Sequence, residues 1–151
     1  MESAPADAPR LEMLLRAFVR VHLEDALISD GSLMGLKLIS REMSEPQHGA
    51  VVVVQELIAP VRRRVWGLLA ELLPDFDDVT RQMVIGSMIG QFVYFAMHWG
   101  HSRPGSPSGA VEDSPFLNFT DDLEEYIDRV IDHVTRMTLG GIRNLQEGGT
   151  T

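Results

Sequence analysis

The chain has 151 residues, 44% hydrophobic and 23% charged, with 22 acids against 13 Lys and Arg and a formal net charge of -9. That length and apolar content suit one ordinary globular domain with a real core. The acidity argues against this segment gripping DNA or RNA itself, because phosphate binding needs a basic surface. No cysteine is present, so disulfides, thiolate metal sites and a Cys nucleophile are excluded together. The opening residues, MESAPADAPR, lack the basic start and apolar run of a secretory signal. They read as a disordered polar leader over residues 1–8, and the cytoplasm is the expected location.

From there to about residue 145 the periodicity predicts helices only, five of them. The first runs from about Pro9 to Leu27, with Leu11, Leu14, Leu15, Phe18 and Val21 on its apolar stripe and Arg10, Arg16, Arg20 and Glu24 away from it. Ser29-Asp30-Gly31-Ser32 ends it and caps a short second helix from Leu33 to Met43. That helix is apolar on two sides, with Leu36, Ile39 and Met43 opposite Met34 and Leu38, so it should be sandwiched. A third helix is expected from about Gln47 to Leu73, facing inward through Val54, Leu57, Ile58, Val61, Val65, Leu68 and Leu72, and kinked at Pro60.

The fourth helix carries the strongest signal in the chain. Gln82 to Trp99 contains no Asp, Glu, Lys or Arg, and a helix apolar all round must be buried on nearly every side. Ile85, Met88, Ile89, Phe92, Phe95, Ala96 and Trp99 form a bulky face; Met83, Gly86, Gly90, Val93 and Met97 form a slimmer one. Gly86 and Gly90, one turn apart, would let another backbone come close, and a second subunit is the economical partner. The polar and small residues Ser87, Gln91, His98, Gly86 and Gly90 argue against a membrane span. Pro- and Gly-rich residues 100–119 then read as a flexible loop.

The last helix is expected to be capped by Thr120 and backed by Asp121, Asp122, Glu124 and Glu125. Its wide stripe holds Leu123, Tyr126, Ile127, Val130, Ile131, Val134, Met137 and Thr138. Paired with the 82–99 helix it would form half of an intersubunit four-helix bundle, with Ile127, Val130 and Val134 at the interface beside Met83, Gly86, Gly90, Val93 and Met97. Residues 146–151 form a disordered tail.

Candidate ligand residues cluster on apolar faces. His22 lies within the stripe of the first helix, where its polar tip could orient a guest, although a histidine in that position also serves simply as a packed, satisfied side chain. Met88, Phe92, Phe95 and Trp99 could line a flat aromatic cavity joined by Met34, Met43 and Trp66, since methionine walls adapt to varied guests. Core packing accounts for the same residues. Lys37 and Arg41 could hold an anion, but pairing of Arg41 with Glu45 or Glu56 is the simpler use.

Enzymatic readings are weaker. His98 and His101 at a helix end could share a metal with Asp132 or His133, but no third ligand is specified, and no metal or other cofactor is expected. Gly105-Ser106-Pro107-Ser108-Gly109 is no nucleophile elbow, because Pro107 holds the serine position and no strand precedes it.

Arg41-Glu42-Met43-Ser44-Glu45-Pro46, Glu56-Leu57-Ile58-Ala59-Pro60, the Gly90-Gln91-Phe92-Val93-Tyr94-Phe95 helix and the closing Gly140-Gly141-Ile142 together resemble the C-terminal regulatory domain of TetR-family transcriptional regulators, from Leu11 to Arg143. The resemblance implies an all-α, five-helix effector-binding domain that dimerises through its last two long helices and holds a small-molecule pocket among the helices before them. It also implies that effector binding shifts the first helix and repositions an N-terminal helix-turn-helix head. The ten residues before Leu11 are too few for such a head, so the expectation is an excised sensor domain or a naturally headless relative. The function expected is to bind a hydrophobic or amphipathic effector as a homodimer, touching DNA only through a head elsewhere. The alternative is a headless, dimeric helical interaction protein without a ligand pocket.

Overall fold

The computed structural model describes residues 8–28, 41, 59–102, 120 and 122–148. Within them lie four helices and no strand: α1 (Ala8–Ile28), α2 (Ala59–Leu72), α3 (Asp78–Ser102) and α4 (Leu123–Gly148). Of the expected helix at 33–43 only Arg41 is described, and it is helical; the first half of the expected third helix and the 103–119 part of the loop fall outside the described residues, while Pro60 lies within α2.

Helices α1, α3 and α4 pack mutually, and α2 lies against α3. The side-chain pairs set the directions. Arg16 meets Asp132 and Arg20 meets Asp128, so α1 and α4 run antiparallel. Phe95 meets His133 and Trp99 meets Tyr126, so α3 and α4 do as well.

One core joins them. From α1 it takes Leu11, Leu15, Val19, Leu23 and Ala26; from α4 it takes Tyr126, Ile127, Val130, Ile131, Val134 and Ile142. The sequence stripe placed Val21 inward on α1, yet Val21 is 62% exposed and Val19 is fully covered. The difference arises because α1 is gripped from two sides, by α3 and by α4, which moves its buried face round to the line of Leu15, Val19 and Leu23. On α2 the buried positions are Val65, Leu69 and Leu72, so Leu69 is more deeply placed than the expected Leu68. On α4, Met137 was expected inward and is 57% exposed.

The helix starts follow local chemistry. Asp77 caps α3: its carboxylate accepts the Thr80 N–H at 2.7 Å and its carbonyl accepts the Arg81 N–H at 3.0 Å. Arg81 then fastens the turn from α2, donating to the carbonyls of Leu73 and Phe76 and to Asp78. At α4 the expected cap at Thr120 is corrected. Asp122 holds the cap position, accepting the Glu125 N–H at 2.8 Å, with the first helical bond from Tyr126 N–H to its carbonyl. Thr120 instead braces the approach, accepting from the Asp122 N–H and donating to the Glu125 carboxylate at 2.7 Å.

Candidate functional site

The sequence-derived ligand residues divide between two seams of the bundle. At the α1–α3 seam, the His22 ring lies 5.9 Å from Phe92, with Phe18 stacked 4.1 Å from His22 and 6.1 Å from Phe92. His22 and Phe18 are half-buried, whereas Phe92 is in the core. The helix explains the first contact: Phe18 and His22 are one turn apart on one face. The His22 Nδ1–H donates to the Phe18 carbonyl at 2.7 Å, which in the neutral ring leaves Nε2 as an acceptor. Among the described residues that nitrogen has no partner. An acceptor at the edge of two phenyl rings suits a guest with an apolar body and one hydroxyl or amine donor.

At the α3–α4 seam, Trp99 packs 4.5 Å from Tyr126 and Phe95 meets the His133 ring edge-on at 5.6 Å. The buried Tyr126 hydroxyl donates to the Phe95 carbonyl at 2.8 Å, and burial pushes its phenol above its ordinary value. Met88 is fully covered in the core, Trp66 is half-buried against it from α2, and Met34 and Met43 lie outside the described residues. The expected single aromatic wall is thus two walls, because Phe92 and Phe95 turn to different neighbours. Phe18, which the sequence reading left in the core stripe, belongs to the first of them. Its four-residue spacing from His22 is the signal that pointed there.

The expected dimer residues also separate. Met83 is 67% exposed, Gly86 and Gly90 are exposed, and Val93 and Met97 are half-buried. Among the described residues a Cβ built at either glycine meets nothing within 4 Å, and both positions are exposed. Ile127, Val130 and Val134, at 3%, 1% and 0% exposure, lie in the chain's own core. Both α1 and α3 pack against α4 within the one chain.

Outside the α3–α4 seam runs a shallow groove of about 970 Å³, floored by Phe95, Val130, His133 and Met137 and edged by Asp122, Glu124, Glu125, Asp128, Arg129, Asp132 and Arg136. Most of its charges already have partners. Asp132 is held below the ordinary aspartate range, chiefly by the Arg16 hydrogen bond, and Glu125 is lowered chiefly by Thr120 and then Arg129. Groups satisfied in this way leave little for a charged guest.

Among the described residues the histidines give no metal geometry. His98 Nδ1 bonds the Tyr94 carbonyl at 2.8 Å and its ring lies 3.9 Å from Tyr94, while the His101 side chain is outside the described residues. Among the described residues no three metal-capable side chains converge, and no helix is long and apolar enough to cross a membrane. No protein-family model, curated protein or solved structure matches the chain.

Proposed function

We propose that this chain is a ligand-sensing and dimerisation domain of the TetR type, in which a hydrophobic or amphipathic small molecule controls a helix-turn-helix head joined upstream. The observation that carries the reading is the half-buried His22 imidazole between Phe18 and Phe92, one nitrogen tied to its own helix and the other without a partner among the described residues. A guest taking that acceptor would press on α1, the first helix of the domain, and any difference in its affinity for two placements of α1 would shift their balance. The exposed side of α3 at Met83, Gly86 and Gly90 supports self-association.

A thermal-shift screen of the purified chain against hydrophobic metabolites and drug-like molecules tests the sensing role, because a ligand selective for the native state raises its stability by RT ln(1 + [L]/Kd). Saturable stabilisation by one chemical class is the expected result. The second reading is a dimeric helical interaction protein with no pocket, and the same exposed row on α3 favours it. A flat screen together with a dimer in solution would put that reading first.

A further inference from the structure

We infer that the α1–α4 seam is a ratchet with two registers one helical turn apart, of which the structure shows the favoured one. The seam repeats every four residues on both sides. On α1 the buried row is Leu11, Leu15, Val19 and Leu23; on α4, alongside the Asp128 and Asp132 that meet α1, it is Ile127, Ile131 and Thr135. Rows at four-residue spacing are the ridges by which helices interdigitate, and a slide of one step sets ridge into groove again. One-turn slides of this kind are an established form of two-state switching in packed helices.

The charges repeat with the same step. On α1, Arg16 and Arg20 are flanked by Glu12 and Glu24, and each arginine bonds its own helix neighbour as well as a carboxylate on α4. On α4 the matching row is Glu124, Asp128 and Asp132, followed by Arg136. The two arginines use Asp132 and Asp128, at 2.8 and 2.5 Å. Glu124, one turn beyond, is exposed and has no ion pair or hydrogen bond among the described residues. Sliding α1 by one turn toward the start of α4 brings Arg16 level with Asp128 and Arg20 level with Glu124, so both cross-helix rungs re-form and the internal Glu12–Arg16 and Arg20–Glu24 pairs travel along unchanged.

The other seam accepts the same step. Phe18 and His22 flank Phe92 now; after the slide Leu14 and Phe18 stand in their places. A slide in the opposite direction is blocked, because it sets Arg16 against Arg136 and Glu24 against Asp128.

What holds the observed register is at the ends. The slide brings Glu12 level with Asp132, separates the exposed Arg10–Glu71 pair at 2.9 Å, and carries Leu23 from its fully buried place to the half-buried place of Leu27. Asp132 is therefore the selector. It attracts Arg16 in the observed register and repels Glu12 in the other. The device requires no ligand and stands whether or not the chain senses one.

The test uses the absence of cysteine. Ala17→Cys and Asn144→Cys, both at exposed positions, give the only two thiols for nitroxide labels, and labelled chain diluted in unlabelled chain is measured by pulsed electron spin resonance. Four residues at the α-helical rise correspond to a displacement of about 6 Å. The parent should give the shorter distance, Asp132→Lys should move the population to one longer by about that amount, and adding Glu124→Lys should remove the longer distance. Asp132→Asn, which deletes the same rung without a new charge, guards against misfolding and should produce the longer distance as a second peak. If neither Asp132 variant yields the longer distance, or if the distribution only broadens, the second register does not exist. A longer distance that survives Glu124→Lys would equally overturn the proposal.

Discussion

The Tyr126 hydroxyl on α4 donates to the Phe95 carbonyl on α3 at 2.8 Å, from a side chain only 1% exposed. A buried hydroxyl needs such a partner, and here the partner is the backbone of the neighbouring helix. Tyr126→Phe keeps the ring against Trp99 and deletes only the bond, so it should lower stability by about 1 kcal/mol. Urea unfolding of the variant and parent, read at equal slope, checks this; a loss near zero would mean the bond adds nothing beyond what water offers.

Asp122 is the cap of α4 and Thr120 its brace. Asp122→Ala should cost about 1 kcal/mol, in the ordinary range for a lost N-cap, and Thr120→Val should cost less, because the cap bond itself survives. Equal losses, or a larger loss for Thr120, would return the capping role to the residue that the sequence suggested.

Acid should weaken the fold through three carboxylates. Asp77, lowered chiefly by the Thr80 backbone N–H, Glu125, lowered chiefly by the Thr120 hydroxyl, and Asp132, lowered chiefly by Arg16, all titrate below their ordinary values in the folded chain. A depressed folded value means stabilisation that is complete above the unfolded value and lost as pH falls through the folded one, so the loss sets in below about pH 4. Asp77→Asn retains a capping side chain but cannot ionise. Thermal midpoints from neutral to strongly acid pH should therefore fall less steeply in that variant than in the parent.

Gly90 has open space where a Cβ would sit. Gly90→Leu should leave the protomer folded, with a gain of up to about 1 kcal/mol from helix propensity, while blocking close approach of a second α3. Light scattering after size exclusion should then show a dimer for the parent and a monomer for the variant. A variant dimer of undiminished affinity would move the interface to another face.

His22→Leu separates sensing from packing. The seam is apolar around the ring, so the ligand-free variant should be as stable as the parent or slightly more so. Any stabilisation that a ligand confers on the parent should disappear. A ligand shift unchanged by the substitution would place the guest elsewhere.

The helical class and the approximate extent of α1, α3 and α4 were legible in the sequence, because each rests on periodicity and local punctuation, whereas the 82–99 run, expected to be buried on nearly every side, is covered on one face and exposed at Met83, Gly86, Gly90 and Tyr94. The same local signals could not say which part of a wide stripe meets which neighbour. Val21 and Val19 differ little as residues, and only the approach of α3 and α4 to α1 buries one and exposes the other. Likewise the sequence offered Ile127, Val130 and Val134 as an apolar surface but could not tell whether α1 or a second subunit covers it. The tertiary structure places those residues in the chain's own core and turns Arg16 and Arg20 from a solvated face into rungs on Asp132 and Asp128. Burial depends on what lies opposite, and contacts between residues more than a hundred positions apart leave no trace in the spacing of either helix alone.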